Sequence, residues 1–276
     1  MDSIFAGIVL YNPNVDVLKK NIEAIINQVQ RVILVDNHSN NGLEIQNLIK
    51  NYDCYYVGLN QNFGIAYALN IICEYAVESG AKWILTLDQD SECLKNLIEM
   101  YLPYTNQRDV GQITSLYMDR NFPDELSGNK FQGVKEIEWC ITSAALVNLS
   151  AWKDVKGFDN NLFIDVVDLD ICLSMREKGY KIFEIGQVGF IHEIGQGKKI
   201  EFWEAKIKIW NHSPIRRYYN VRNNIIVAKK HGKSLIRTMF GIVKHIFIIF
   251  VFENDKKNKL ISAWKGIVAG VCYKVN

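Results

Sequence analysis

The sequence predicts an α/β fold in which a mixed sheet is flanked by helices and followed by a basic, helical C-terminal extension. Two observations carry this prediction. In the N-terminal part, short apolar runs alternate with segments whose apolar residues recur at helical spacing, which is typical of strand–helix units around a parallel sheet. From about residue 200 onward, the composition becomes helical and strongly basic.

The N-terminal elements follow from apolar runs and turn residues. The first strand is predicted at residues 4–10, where IFAGIVL is ended by the turn sequence YNPN, and apolar residues then recur at helical spacing from Val15 to Val29. Three further strands are predicted at 31–37, 54–59 and 82–88. Two helical segments are predicted between them, at 42–51 and 62–80. Short links between them favour parallel strand pairing.

The pattern changes after residue 105, where the strands become shorter. Strands are predicted at 110–118, 134–139, 143–149, 181–185 and 188–191, and a helix at 168–178. We therefore predict a first domain at 1–205, in which the pattern changes near residue 105, followed by a helical region at 206–276.

Charge is distributed unevenly along the chain. From Glu201 onward there are 15 Lys and Arg against 4 Asp and Glu, whereas the preceding residues carry 17 against 26. This asymmetry suggests an acidic body that could hold a metal and a basic part that faces something anionic. Nucleic acid is a poor candidate, because the basic residues are interleaved with long apolar runs.

Cysteines and the N-terminus indicate a cytosolic protein. The six cysteines form no CxxC pair and no zinc-like spacing with histidine, so we expect reduced thiols. The N-terminus has no basic region or cleavage site typical of a signal peptide.

One C-terminal segment, residues 234–252, is strongly apolar but is interrupted by Arg237, Lys244 and His245. Its uncharged runs are shorter than the roughly 20 residues that span a bilayer, so a helix lying on an anionic membrane surface is favoured. The alternatives are a buried helix and a homodimer contact.

Polar residues follow three of the predicted strands. Tyr11 and Asn12 follow the first, Asp36 and Asn37 end the second, and the Asp88-Gln89-Asp90 stretch ends the fourth. In open α/β sheets, ligands bind beyond the carboxyl ends of strands. Asp88 and Asp90 are two residues apart in an extended chain, so their carboxylates point the same way and could share a divalent cation.

Four segments in this order, GIVLYNP, ILVDNHSNN, NFGIAYALN and LTLDQDS, resemble the N-terminal half of family 2 glycosyltransferases, which have the GT-A fold, a Rossmann-like fold of nucleotide-diphospho-sugar transferases. The resemblance continues through FIDVVDLDICLSMREKGYKIF and FIHEIG to SPIRRYYNVRNN, and covers roughly residues 4–228. The DQD, FIDVVD and RRYYNVRNN stretches are similar to bacterial rhamnosyltransferases of cell-surface polysaccharide assembly.

The resemblance implies roles for individual residues. The nucleotide sugar would be bound by Tyr11, Asn12, Asp36, Asn37, Asn62, Gly64, Ala66, Asp88 and Gln89. Asp90 would bind Mg²⁺ or Mn²⁺ directly, with Asp88 and His192 in support. The acceptor or the diphosphate would be contacted by Trp139, Thr142, Arg216, Arg217, Tyr218 and Arg222.

The general base is expected among the carboxylates of FIDVVDLD. Asp168 matches the Asp of a Glu-Asp pair that is frequent in this superfamily, and Asp165 is the alternative. Val167 stands where the Glu of that pair is common, which leaves the assignment open between the two.

The resemblance therefore implies a metal-dependent inverting glycosyltransferase. Its catalytic domain would be residues 1–205, with a nucleotide-sugar half at 1–105 and an acceptor half at 106–205. Its donor would be dTDP-L-rhamnose or another nucleotide sugar (hexose or galactofuranose), and its acceptor a saccharide on a polyprenyl diphosphate at the inner face of a bacterial plasma membrane, as in O-antigen synthesis. A sugar nucleotidyltransferase and a catalytically silent protein of an assembly complex are the alternatives. The first would need a Gly-rich, basic phosphate loop, which YNPNVD does not provide.

Overall fold

The computed structural model describes residues 3–193, 198–202 and 205–275. The chain divides into two compact units. The N-terminal unit comprises Met1–Phe163 and Val167–His192, and the C-terminal unit comprises Ile164–Val166 and Glu193–Asn276. This division falls earlier in the chain than the boundary predicted from charge.

The N-terminal unit is built on a ten-stranded mixed sheet. Its strands are β1 (Ile4–Leu10), β2 (Arg31–Asp36), β3 (Cys54–Gly58), β4 (Trp83–Asp88), β5 (Glu92–Cys93), β6 (Val110–Asp119), β7 (Phe122–Leu126), β8 (Val134–Ile137), β9 (Ala145–Asn148) and β10 (Lys181–His192). Their order is β3-β2-β1-β4-β9-β6-β10-β5, with β7 paired to β6 and β8 to β10. The mixed α/β fold predicted from the sequence is confirmed.

Six α-helices flank this sheet: α1 (Val15–Ile25), α2 (Gly42–Ile49), α3 (Ile65–Glu78), α4 (Leu97–Thr105), α5 (Leu149–Asp154) and α6 (Val167–Glu177). A short 3₁₀ helix spans Asn160–Leu162. β1 is buried along its whole length because β2 and β4 pair with it and helices cover the sheet, which explains its unbroken apolar run.

One predicted pair of strands is a single strand. Residues 181–185 and 188–191 belong to β10, which pairs with β6 throughout and shifts register between Ile185 and Val188. The interruption in the apolar pattern therefore marks a bulge, which leaves the strand continuous.

The described residues of the C-terminal unit form an antiparallel strand pair and three helices. The elements are β11 (Lys198–Phe202), β12 (Ala205–Ile209), α7 (Pro214–Lys230), α8 (Leu235–Phe252) and α9 (Lys256–Cys272). The helices predicted from residue 206 onward thus begin only at Pro214. The sequence AKIKI alternates polar and apolar residues, which is the period of a strand.

A buried ion cluster lies within the C-terminal unit. The Glu253 carboxylate is inaccessible to solvent and accepts hydrogen bonds from Arg217 and from Lys259, the latter at 3.0 Å. Lys259 also donates to the Asn211 side chain. These contacts connect α7, α9 and the end of α8 through charges that are removed from water.

Glu253→Gln is expected to destabilise this unit. The substitution keeps the shape but leaves Arg217 and Lys259 buried without a compensating charge, which costs about 3–5 kcal/mol in free energy of unfolding. Urea denaturation measures the loss, and hydrogen exchange of α7 and α9 assigns it to this unit. The matched control is Glu23→Gln, which removes a solvent-exposed partner of Lys19 and should cost under about 1 kcal/mol. Equal losses in both variants would contradict the role of the cluster.

Candidate active site

Three parallel strands end side by side at one edge of the sheet. In the pairing of β1 with β2, Leu10 lies opposite Asp36, and in the pairing of β1 with β4, Val9 lies opposite Asp88. The sheet therefore brings the polar residues after β1, β2 and β4 to a common edge, as expected for a ligand-binding crevice in an open α/β sheet.

A fourth strand reaches the same edge from a distant part of the chain. β9 runs antiparallel to both β4 and β6, and β10 runs parallel to β6. The carboxyl end of β10 consequently lies at the same edge as that of β4. His192, the last residue of β10, joins Asp88 and Asp90 in a cluster whose ligand atoms all lie within 4.8 Å of one another.

The geometry of this cluster suits a divalent cation. The Nε2 atom of His192 lies 3.7 Å from Asp88 Oδ2, and its Nδ1 atom lies 3.5 Å from Asp90 Oδ1. Asp90 Oδ1 is buried and accepts no hydrogen bond from the described residues. A buried carboxylate oxygen without a donor is costly, and a hard cation with oxygen and imidazole ligands removes that cost.

The carboxylates also control the charge of the histidine. Burial alone lowers the pKa of His192, but Asp90, Asp88 and Asp119 outweigh burial and raise the pKa above its ordinary value. A bound cation would lower the pKa of His192, because an imidazole that binds a metal must be neutral.

Sequence reasoning missed two residues around His192. Ser91 is fully buried, and its hydroxyl lies 3.1 Å from His192 Nδ1 and hydrogen-bonds the Ser143 hydroxyl. Asp119 ends β6 directly opposite His192 and is 6% exposed. Ser91 follows Asp90 in the chain, which was an available signal, whereas Asp119 is brought close only by the pairing of β6 with β10.

Asp36 and Asn37 are buried, and their side chains accept hydrogen bonds from neighbouring loops and strands at the carboxyl edge of the sheet. Asp36 accepts hydrogen bonds from the Tyr56 hydroxyl (2.8 Å) and the Ser39 amide (2.9 Å). Burial, followed by this hydrogen bond, raises the pKa of Tyr56 to about 12. The Asn37 side chain accepts from the Phe63 amide at 2.9 Å. Both side chains thus fix the loops after β2 and β3.

Tyr11, Asn12 and Gln89 connect neighbouring strand ends. The Tyr11 amide donates to the Gln89 side chain at 2.8 Å, which ties the end of β1 to the end of β4. The Asn12 side chain accepts from the Asn40 amide at 2.7 Å, and Asn12 itself has a φ of 49°. The Tyr11 ring is half exposed and is available to stack against a ligand.

Gly64, which the resemblance places in the nucleotide-sugar site, lies against the backbone of Phe163. Gly64 has a φ of 90°, and a Cβ atom there would lie 2.4 Å from the carbonyl oxygen of Phe163. The close approach that glycine permits is therefore to the protein backbone. Asn62 accepts from the Gly64 amide at 2.9 Å and Ala66 is fully buried, so this segment forms the wall at the start of α3.

The two candidate bases have different surroundings. Asp168 lies in the first turn of α6, is partly buried, and accepts from the Leu169 amide at 2.8 Å. Asp165 belongs to the C-terminal unit and pairs with Arg216 at 3.0 Å. Burial raises the pKa of Asp165, and Arg216 offsets only part of this effect.

The backbone around Asp165 is unusual. Phe163, Asp165 and Val166 all have positive φ values, of 38°, 65° and 66°. Positive φ in a β-branched residue costs on the order of 1–3 kcal/mol and persists only where the surroundings enforce it. Within the C-terminal unit, the Asn223 side chain donates to the carbonyl oxygens of Ile164 and Asp165 at 2.8 and 3.1 Å.

Most of the predicted acceptor residues already have protein partners. Arg217 pairs with Glu253, and Arg222 donates to Asn223 at 2.9 Å and lies over the Tyr219 and Tyr273 rings. The Tyr218 ring contacts that of Tyr219 edge-on. In the N-terminal unit, the Thr142 carbonyl accepts from Thr86. Trp139 is 47% exposed, as a residue that contacts an acceptor would be.

Comparisons with known proteins agree with this geometry. Residues 6–141 match the family model "Glycosyl transferase family 2". The chain is 29% identical to the "dTDP-rhamnosyl transferase RfbF" of Shigella flexneri, over 97% of this chain and 94% of that protein.

Solved structures share the fold at low sequence identity. TarS residues 1–349 from S. aureus superpose with a TM-score of 0.59 at 12% identity, over 98% of this chain and 81% of that one. GalNAc-T7, solved with UDP, GalNAc and Mn²⁺, gives a TM-score of 0.60 at 13% identity, over 89% and 57%. The sheet and its flanking helices form a GT-A-like fold. Together with the family match over residues 6–141 and the similarity to a rhamnosyl transferase, this shows that the chain is similar to glycosyltransferases of family 2.

Proposed function

We propose that the protein transfers L-rhamnose from dTDP-L-rhamnose, with inversion, to a saccharide acceptor during synthesis of a bacterial cell-surface polysaccharide such as O-antigen. The observation that carries the proposal is the cluster of Asp88, Asp90 and His192 at the carboxyl edge of the sheet. The choice of donor is supported by the relative from S. flexneri, whose similarity extends over nearly the whole chain.

Asp90, Asp88 and His192 would hold Mg²⁺ or Mn²⁺ in this proposal. The ion supplies electrostatic neutralisation of the diphosphate that leaves the sugar. The half-exposed Tyr11 ring would stack on the nucleobase, and the edge fixed by Asp36, Asn37 and Gln89 would orient the nucleoside. Arg216 or Arg222 would contact the diphosphate or the acceptor only after exchanging a present partner.

Asp168 would act as the general base. An acceptor hydroxyl gives its proton to the Asp168 carboxylate while its oxygen forms a bond to the anomeric carbon, and the bond from that carbon to the diphosphate oxygen breaks on the opposite face. Asp168 is preferred to Asp165 because it matches the Asp of the Glu-Asp pair that is frequent in this superfamily.

The acceptor would be a saccharide carried on a polyprenyl diphosphate. A lipid chain of that kind is embedded in the membrane, so the proposal places the protein at the cytoplasmic face of the bacterial plasma membrane.

A panel of nucleotide sugars with Mn²⁺ tests this function. Binding and slow hydrolysis are measured for dTDP-L-rhamnose, dTDP-glucose, UDP-glucose and UDP-galactofuranose, with and without EDTA. We expect the tightest binding and fastest release of nucleoside diphosphate with dTDP-L-rhamnose, and loss of both with EDTA. Preference for another sugar would overturn the rhamnose assignment. Formation of inorganic diphosphate from a nucleoside triphosphate and a sugar phosphate would indicate a nucleotidyltransferase. Binding without any turnover, even with acceptor, would indicate a silent protein.

A further inference from the structure

Two helices of the C-terminal unit expose continuous apolar stripes. On α8 the exposed residues recur at alternating spacings of four and three and are 58–77% exposed: Ile236, Phe240, Val243, Phe247 and Phe250. On α9 the same spacing gives Ile261, Trp264, Val268 and Val271. Spacings of three and four place side chains on one face of a helix, so each stripe is a single unpartnered face within the part of the chain that the structure describes.

These stripes are not needed for the core of the unit. The opposite side of α8 carries Met239, Ile242, Ile246 and Ile249, and the first three of these belong to the cluster formed with α7 and α9. Exposed apolar surface on this scale marks an interaction site.

Charge identifies the partner. From Lys229 to Val275 seven basic side chains are exposed (Lys233, Arg237, Lys244, Lys256, Lys257, Lys265 and Lys274), against one exposed acidic residue, Asp255. Arg237 and Lys244 each follow a stripe residue of α8 by one position, and Lys265 follows Trp264 in the same way. Positive charges therefore flank the stripes, where they would meet anionic headgroups while the apolar residues enter the acyl boundary.

The structure argues against a spanning α8 and against a second copy of the chain. Among the described residues, α8 is the one helix long and apolar enough to cross a membrane. However, α8 packs along α7, whose 17 residues include five Lys and Arg. If α8 crossed the membrane, these charged residues would also lie in the bilayer core, which is costly in free energy. A second copy would bring two sets of like charges together, which costs free energy.

We propose that the α8 and α9 stripes form a docking face for an anionic lipid bilayer, on which the protein lies peripherally. The proposal extends beyond sugar transfer and does not depend on which sugar is moved.

Vesicle flotation of the full-length protein tests the docking face. We expect binding to vesicles of phosphatidylcholine with phosphatidylglycerol and weaker binding to phosphatidylcholine alone. High salt should lower the binding to anionic vesicles to the level seen with phosphatidylcholine alone. The variant F240S/F247S/W264S should lose binding by at least about tenfold, because affinity scales with the apolar area that is inserted. The matched control is Leu43→Ser, which removes a 78% exposed apolar side chain from α2 and should bind as the wild type does.

A second pair of variants tests the charges. Lys244→Gln with Lys265→Gln should weaken binding to anionic vesicles and leave the residual binding to neutral vesicles unchanged, whereas Lys20→Gln with Lys50→Gln should change neither. Hydrolysis of the nucleotide sugar in solution is measured in all variants, so loss of docking is distinguishable from loss of the proposed activity. Wild-type vesicle binding by the triple variant would overturn the proposal. So would a lipid-free dimer that the triple variant converts to a monomer, or binding to anionic vesicles that high salt does not weaken.

Discussion

Asp90→Asn is expected to abolish Mn²⁺-dependent sugar transfer while leaving the fold intact. Asn keeps the size of the side chain but removes the charge of a carboxylate whose Oδ1 atom is buried and without a hydrogen bond from the described residues. Loss of a direct metal ligand should reduce the rate of nucleoside diphosphate release by on the order of 10³-fold. Titration calorimetry with Mn²⁺ provides a second measurement that does not depend on turnover.

The same Mn²⁺ titration compares the contributions of Asp88 and Asp90 to metal binding. Asp88→Asn should weaken Mn²⁺ binding less than Asp90→Asn, because Asp88 is expected to give a supporting contact. Glu92→Gln is the matched control, since Glu92 is a nearby, partly exposed carboxylate that pairs with Arg120. Wild-type turnover in Asp90→Asn would exclude the metal role of this residue, and an equal loss in Glu92→Gln would point to general electrostatics.

Asp168→Asn is expected to remove transfer to the acceptor and to preserve binding of the nucleotide. The amide cannot accept the proton of the attacking hydroxyl, and loss of a general base typically costs about 10²–10⁴-fold in rate. Transfer is measured with a saturating acceptor, and nucleotide affinity by titration with the nucleoside diphosphate. Normal transfer in this variant would move the role to Asp165.

A separate set of variants tests whether Asp165 is the general base or only the ion-pair partner of Arg216. If Asp165 acts only through its ion pair with Arg216, then Asp165→Asn, Arg216→Ala and the double variant should show similar losses, so that their effects are not additive. If Asp165 were the base, Asp165→Asn would lose far more activity than Arg216→Ala, with a changed pH–rate profile. The comparison distinguishes a catalytic carboxylate from one that holds the loop.

The edge of the sheet could be predicted because it depends on local patterns. Apolar runs that end in Asn12, Asp36 and Asp88 indicate strand ends, and parallel pairing places such ends together. The approach of His192 depends on β10 pairing with β6 after a long intervening stretch. Here the family resemblance supplied what periodicity could not, and the structure brings His192 to both aspartates.

Other features had no signal in the sequence. Arg217 is buried against Glu253, which lies 36 residues later in the chain, after the end of α8. Nothing in the segment RRYYNVRNN indicates that this arginine is buried. The Ser91–Ser143 contact likewise joins residues from two loops. Helical patterning located α8, but its exposed stripe became apparent only when the packed face was known, because the helix is apolar on nearly all sides.

The segment Ile164–Val166 belongs to the C-terminal unit although both of its neighbours along the chain belong to the other one. The polypeptide therefore passes between the units three times, at 163/164, 166/167 and 192/193, and no single cut separates them. A fragment that stops at His192 would carry this tripeptide without Asn223 and Arg216, which fix its backbone and the Asp165 side chain. For the same reason, recombination between related genes at one crossover point would pair this tripeptide with a foreign α7, so the two are expected to be inherited together.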